Sequence, residues 1–227
     1  MHIVLIVLIL LAAVIGPGIW VRQVMKRYSE PADRYEQTGR ETARDLLDYL
    51  ELNHVGIEVA EGGDHYDPVD KMVRLTAQNL DGRSLTAVTV AAHEVGHALQ
   101  DATGFAPLRL RTQLVRWVGP IEKVGAALLM ATPLILGVTR VPAAGALMFL
   151  GGLLTLGSAV AIHMLTLPTE FDASFGRALP LLADRKMLHS VDEPHARRLL
   201  KAAALTYVSA SLMSLLSIAR WWAILRR

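Results

Sequence analysis

Two histidines and a glutamate lie within little more than one helical turn in the stretch "AAHEVGHALQ" (91–100). On a helix, side chains four residues apart project from the same face, so His93 and His97 can direct their imidazoles at one metal ion. Glu94 lies beside that face and can reach a water on the metal without binding the metal itself, which is how this spacing works in zinc proteases. The pattern predicts a zinc site with its own general base, Glu94.

The alternative interpretation is that these three side chains lie on a solvated helix face. The residues around them, 90–92, 95, 98 and 99, are apolar nearly all round the helix, which predicts burial. Three buried ionisable groups without partners are expensive, so burial favours the metal site. Gly96 costs about 0.8–1 kcal/mol relative to Ala inside a helix, which indicates that another part of the chain packs closely there.

A catalytic zinc site needs a third protein ligand and an open position for water. The chain has no cysteine, so histidines and carboxylates must supply all of its ligands. Glu170 in "LPTEFDASFGRAL" (167–179) is the candidate, because two predicted membrane spans between it and His97 place both on the same side. The alternative is a glutamate that merely favours the start of a helix.

Four stretches together resemble the YugP-type family of neutral zinc membrane metallopeptidases, over most of the chain and in matching order. They are "VAAHEVGHALQ", "LPTEFDAS", "DHYDP…VRL" and "AAALTYVSAS". The E-F-x-A-S stretch also resembles the E-[FY]-x-A-D segment of CAAX prenyl endopeptidases and bacterial heat-shock membrane zinc proteases. The first Glu of that segment is the third zinc ligand in those families, which implies the same role for Glu170. Ser174 stands where those relatives have Asp, so Ser174 and Asp172 are candidates to support the ligands from outside.

Other polar residues are weaker candidates for contacts with the substrate or transition state. His65, Tyr66 and Asp67 are concentrated in "GDHYDPVDK" (63–71) and could line a cleft or stabilise an oxyanion if this loop folds over the zinc. The alternative there is a solvated turn. Tyr207 could present its hydroxyl to the site, or lie at a membrane interface.

The elements that must position these residues can be read from the surrounding sequence. Ser84 stands where an N-cap would and Gly104 is a stop signal, so the stretch between them is predicted to be helical. An amphipathic helix is predicted within 29–55, with one apolar face. The β-prone runs 57–60 and 72–75 predict a small hairpin or a pair of edge strands.

The composition, 52% hydrophobic, predicts a membrane protein. Four apolar stretches approach the roughly 20 residues that cross a bilayer, namely 3–21, 123–138, 143–167 and 202–225. The fold class expected is a mainly α-helical, multi-span integral membrane protein with a zincin-like catalytic helix and a small α/β element. The first stretch could instead be a signal peptide, but no basic residue precedes its apolar run and no clear cleavage site follows, which favours an uncleaved anchor.

This interpretation divides the chain into five regions, each with one expected role. They are an N-terminal transmembrane anchor (1–21), a catalytic region (22–118), two transmembrane helices (119–167), a polar helical region with the third ligand (168–201) and a C-terminal transmembrane or interfacial helix (202–227). Lys and Arg beside the first three spans place the catalytic regions on the cytoplasmic side of a bacterial cytoplasmic membrane. The net charge of +2 gives no support for nucleic-acid binding.

The function predicted is zinc-dependent endopeptidase activity. One Zn²⁺ is held by His93, His97 and Glu170, and Glu94 takes a proton from the attacking water. The expected partners are the lipid bilayer and a membrane-associated protein or peptide substrate. The alternative is a non-catalytic scaffold or chaperone-like protein with a structural zinc, which a fourth protein ligand would indicate.

Overall fold

The computed structural model describes residues 2–206 as eight α-helices, a three-stranded sheet, one π-helix and one 3₁₀ turn. In chain order these are α1 His2–Tyr28, α2 Gly39–Tyr49, β1 Gly56–Ala60, β2 His65–Asp67, β3 Met72–Thr76, α3 Ala77–Leu80, α4 Leu85–Ala102, α5 Ala106–Thr139, α6 Pro142–Phe171, the π-helix Asp172–Ala178, α7 Leu179–Asp184, the 3₁₀ turn Ser190–Asp192 and α8 Glu193–Ala204. Residue contacts divide the chain into two compact units. Ile19–Arg109 and Leu167–Thr206 form one of them, called the site unit below.

Helix α4 is the central element of the site unit. Ser84 is its N-cap, and its hydroxyl accepts a hydrogen bond from the backbone N–H of Ala87 at 3.1 Å, which confirms the predicted helix start. The helix packs against α2, α8 and the π-helix, and all but three of its 18 residues are buried. An all-round buried helix matches the apolar character of the residues that flank His93 and His97 in the sequence.

Helix α2 covers one side of α4. It begins with a capping box, in which the Thr38 hydroxyl accepts from the Glu41 N–H at 3.2 Å and the Glu41 carboxylate accepts from the Thr38 N–H at 2.8 Å. Ala43, Leu46 and Leu47 are fully buried, as the predicted amphipathic face requires. The cap and the apolar face together fix where α2 begins and which side of it meets the core.

The three-stranded sheet differs from the predicted hairpin. Strands β1 and β3 do form over the two β-prone runs, but they are parallel, with Gly56 opposite Met72, and a tight hairpin turn cannot join parallel strands. The sheet order is β1-β3-β2, so the short strand β2 is the antiparallel partner of β3. Val73 and Leu75 point from β3 into the core with no exposed surface.

The predicted multi-span membrane fold is wrong. Most of the described residues are helical and the small sheet is present, but no helix within residues 2–206 combines the length and the apolarity that crossing a membrane requires. The hydropathy of a sequence stretch is an incomplete criterion for a membrane span. A span also needs a single helix with enough consecutive apolar residues and few charges. The stretch 202–225 lies almost entirely outside the described residues.

The same finding contradicts the predicted location, an integral protein of a bacterial cytoplasmic membrane with its catalytic regions facing the cytoplasm. That prediction depended on counting Lys and Arg on either side of spans. Since no helix of the described residues meets this requirement, the charge count gives no orientation there.

Candidate metal centre

The three predicted zinc ligands lie together inside the site unit. His93 and His97 project from one face of α4, and Glu170 comes from the last turn of α6. The Nε2 atoms of both histidines lie 3.3 Å from the same oxygen, Oε2 of Glu170. All three side chains are buried, with exposed fractions of 4%, 5% and 1%. The two histidines of α4 and a glutamate distant in sequence thus bring their ligand atoms together at one point.

This geometry fits a zinc ion. Two ligand atoms that each lie 2.0–2.1 Å from a tetrahedral zinc are separated by about 3.3 Å, which matches the two histidine–glutamate distances. Two imidazole nitrogens and one carboxylate oxygen are also a known ligand set of catalytic zinc. Within residues 2–206, this is the one group of three or more His, Cys, Asp or Glu side chains close enough to share a metal.

Gly96 allows α4 to approach the π-helix closely. A Cβ at this position would lie 2.6 Å from the backbone oxygen of Ala173, which is closer than real Cβ contacts allow. The indication from the sequence that something packs against Gly96 is therefore confirmed. Close approach matters here because the π-helix follows directly after Glu170 and carries residues that contact α4. Short π-helical segments are often found at functional sites.

Two side chains support the histidines from behind. The Ser174 hydroxyl lies 3.1 Å from Nδ1 of His93, and the amide oxygen Oε1 of Gln100 lies 2.9 Å from Nδ1 of His97. Asp172, the other candidate for support, accepts a hydrogen bond from Gln100 at 2.8 Å and reaches His97 only through that amide. In each case the outer nitrogen of the ring is engaged, which leaves Nε2 to face Glu170.

Gln100 was not singled out from the sequence. It lies three residues after His97, so it shares the ligand face of α4, and this spacing is the signal that could have identified it. A glutamine amide carries no charge and is not among the usual zinc ligands, so it is easily overlooked in a metal-binding motif. Its importance becomes visible only with Thr169 and Asp172 beside it.

The charge state of Glu170 suits a cation site. Burial raises the pKa of its carboxyl, but the electrostatic attraction of His97 and His93 and their hydrogen bonds to the carboxylate together outweigh it, so the net pKa lies below the usual range. The side chain is therefore ionised at neutral pH. A metal cation held by His93, His97 and Glu170 would balance this charge.

Glu94 is buried on α4 directly after His93, with 5% of its surface exposed. It is absent from the group of side chains whose ligand atoms could share one metal. This separation agrees with the expectation that Glu94 lies next to the ligands without being one of them. Its role as general base stays a prediction.

The residues predicted to contact substrate lie in and around β2. His65 is exposed, and its Nδ1 is 2.8 Å from the carbonyl oxygen of Gly63. Tyr66 donates to Oδ2 of Asp101 at 2.7 Å, and Asp67 forms an ion pair with Arg74 at 2.5 Å. Tyr207 lies outside the described residues.

Two of the three residues are thus bound to charged neighbours, Tyr66 to Asp101 and Asp67 to Arg74. Tyr66 ties the sheet to α4 through Asp101, one turn beyond His97, so it helps to hold α4 against the sheet. A role of His65, Tyr66, Asp67 or Tyr207 in binding substrate stays a prediction.

Comparison with known proteins adds two findings. The model of the family described as "Putative neutral zinc metallopeptidase" matches residues 2–226. The protein named "Putative membrane protease YugP" of Bacillus subtilis (strain 168) is 35% identical over 216 residues, which cover 92% of each chain. No solved structure matches the chain. With a match along nearly its whole length and a relative this similar, the chain belongs to the neutral zinc metallopeptidase family.

Proposed function

We propose that this protein is a zinc-dependent endopeptidase whose metal is held by His93, His97 and Glu170. One observation carries the proposal: three buried ligand atoms from two helices converge, and the glutamate oxygen lies from each histidine nitrogen at the separation that a tetrahedral zinc site requires. Membership of a zinc metallopeptidase family supports it independently. When bound, zinc polarises the carbonyl of a peptide and makes water acidic enough to attack at neutral pH.

The protein's own residues then carry out the proton transfers. Glu94 holds the attacking water, accepts its proton and passes that proton to the amine that leaves. Glu94 is buried and lies on the same helix as His93 and His97, which supports this role. Burial also limits competing water near the base.

The rival function, a scaffold or chaperone-like protein with a structural zinc, requires a closed metal site. Structural zinc sites in proteins have four protein ligands, whereas catalytic sites have three and leave a position for water. In the part of the chain that the structure describes, the metal group has three members. This count favours the catalytic proposal.

We extend the proposal to the substrate class with one further step. The B. subtilis relative is named a membrane protease, which supports proteins or peptides associated with a membrane as substrates here. The test compares cleavage of one peptide sequence free in solution and attached to a lipid vesicle. Faster cleavage of the attached peptide is expected, and equal rates would contradict this step.

A single substitution tests the proposed chemistry. Glu94→Gln keeps the size and shape of the side chain but removes the base, so zinc content should remain at the wild-type level while peptide hydrolysis falls by about 10²–10⁴-fold. Metal analysis of the purified protein and a peptide cleavage assay measure the two quantities. Undiminished hydrolysis in the zinc-loaded variant would exclude Glu94 as the base, and a wild type that takes up no zinc would contradict the whole proposal.

A further inference from the structure

The side chain of Gln100 makes three hydrogen bonds although the residue is completely buried. Its side-chain nitrogen lies 2.8 Å from the backbone oxygen of Thr169 and 2.8 Å from Oδ2 of Asp172. Its side-chain oxygen lies 2.9 Å from Nδ1 of His97. One amide therefore touches a metal ligand on α4 and the two residues that flank the ligand Glu170 on α6 and the π-helix.

The chemistry of these neighbours determines the direction of each bond. A backbone carbonyl can only accept, and the Asp172 carboxylate, which is paired with Arg177 at 2.7 Å, is also an acceptor. The NH₂ group of Gln100 must face both of them, which leaves its oxygen towards His97. That oxygen can only accept, so Nδ1 of His97 carries the proton and Nε2 presents a lone pair to the metal position.

His93 reaches the same state by an independent route. Ser174 lies 3.2 Å from the backbone oxygen of Leu200, which can only accept, so the single hydroxyl proton of Ser174 points there. The serine oxygen is then the acceptor for Nδ1–H of His93 at 3.1 Å. Different residues thus hold the two histidines, and each can be disturbed without the other.

We propose that Gln100 is a positioning residue that fixes the metal-binding form of His97 and holds the Glu170 segment against α4. The inference rests on the proposed metal site and assigns a new residue to its assembly. A single amide orients two of the three ligands, because it contacts the ring of His97 directly and holds the Thr169 backbone and the Asp172 side chain on the two sides of Glu170. Partners of this kind typically contribute 10–100-fold to metal affinity.

The test replaces the amide by a side chain of similar length without it. Gln100→Met is expected to weaken zinc binding by about 10–100-fold in a competition titration with a chromophoric chelator. Thr86→Val is the matched control, since it removes another buried hydrogen bond of α4, from the Thr86 hydroxyl to the Met25 carbonyl, away from the ligands. The control should keep the zinc affinity of the wild type.

A second readout separates positioning from a general loss of stability. In the zinc-loaded protein labelled with ¹⁵N-histidine, both Nδ1–H groups should give protected NMR signals because both are buried and hydrogen-bonded. Gln100→Met should lose protection at His97 while His93, held by Ser174, keeps it. Equal loss at both rings would show a merely structural role and overturn the inference, as would an unchanged zinc affinity.

Gln100→Glu provides a second variant that tests the nitrogen side of the amide. One carboxyl oxygen can still accept from His97, but the other lies against two acceptors, the Thr169 carbonyl and the Asp172 carboxylate. Its zinc affinity should therefore fall below that of the wild type, and an unchanged affinity would exclude the role of the amide nitrogen in holding the Glu170 segment. A wild type that takes up no zinc would overturn both the proposed function and this inference, whereas a zinc-loaded wild type without peptidase activity would overturn the proposed function alone.

Discussion

Two polar clusters of the site unit, each built around a buried carboxylate, contrast in how their charges are satisfied. In the first, called the Asp192 cluster, Arg34 donates to both carboxylate oxygens of Asp192 at 2.6 Å and Tyr35 donates to one of them at 2.7 Å. In the second, the metal centre, two imidazole nitrogens and one carboxylate oxygen converge on one another. Both join parts of the chain that are far apart in sequence.

The difference lies in the donors and acceptors. The Asp192 cluster pairs an anion with a cation and a hydroxyl, so it is complete with protein atoms alone. In the metal centre, the outward-facing nitrogen of each histidine is occupied by Gln100 or Ser174, and acceptor atoms face inwards. Three converging acceptors repel each other unless a cation or protons lie between them. Inward-facing acceptors therefore identify a binding site, whereas matched donors and acceptors identify a structural contact.

Removing a buried carboxylate from the metal centre should have the largest effect. Glu170→Ala deletes one of three ligands, so zinc affinity is expected to fall by more than the roughly 100-fold that is the upper end for outer-shell partners. Metal analysis after dialysis and a chelator titration measure this. Retention of one tightly bound zinc per chain would refute the ligand assignment and the contrast drawn between the two clusters.

Separating α4 from the π-helix should have the next largest effect. Gly96→Ala places a Cβ against the Ala173 carbonyl, and relief of this overlap costs about 1–3 kcal/mol. If the site absorbs all of that strain, zinc affinity falls by roughly 5–150-fold.

A second helical glycine supplies the control for that experiment. A Cβ at Gly137 in α5 would have no heavy atom within 4 Å, so Gly137→Ala should raise stability through helix propensity, by up to about 1 kcal/mol, and leave zinc binding unchanged. Thermal unfolding and zinc titration of both variants measure the changes in stability and in zinc affinity. Equal behaviour of the two glycines would show that the close approach at Gly96 has no importance for the site.

Loss of the support behind His93 should have a smaller effect. Ser174→Ala removes the acceptor for Nδ1–H of His93, and a fall in zinc affinity of about tenfold, the lower end for such partners, is expected because the ring keeps its place on α4. Glu170 and His97 are untouched by this change. An affinity equal to that of the wild type would mean that Ser174 does not act on the metal centre.

The sequence predicted the parts of the site unit that depend on local patterns. The i, i+4 histidine pair, the Ser84 cap, the apolar face of α2 and the tight packing at Gly96 all agree with the structure. Features that depend on distant neighbours were missed. Gln100 acquires its role from Thr169 and Asp172, and a π-helix has no pattern of apolar residues that distinguishes it from an α-helix.

The errors have a related cause. The parallel pairing of β1 with β3 could not be inferred from the sequence. The short strand β2 lies between them along the chain but at the edge of the sheet, next to β3, so the chain does not form a simple hairpin. The membrane prediction used composition summed over stretches, whereas spanning depends on single helices, and none within the described ranges qualifies. Local chemistry was thus easier to predict than the larger architecture around it.

The smallest expected effect on zinc is that of Asp192→Asn, which tests the other side of the comparison. Burial raises the pKa of Asp192, but hydrogen bonds from Arg34 and Tyr35 outweigh it, so the net pKa in the folded protein is lowered. A carboxyl with a lowered folded pKa contributes stability above its unfolded pKa of about 3.9, and that stability is lost as the pH falls through the folded value. In metal-free protein at pH 7, Asp192→Asn should therefore reduce the free energy of unfolding by about 1.5–3 kcal/mol, the range for hydrogen bonds to charged groups. The difference from wild type should shrink when urea unfolding is repeated below pH 4, while zinc affinity of the folded protein stays unchanged at pH 7. A stability difference that persists undiminished in acid would exclude the ionised Asp192 carboxylate as its source. A loss of zinc affinity comparable to that of Ser174→Ala would show that the two clusters are coupled and that the distinction between a closed ion pair and an open metal site does not hold here.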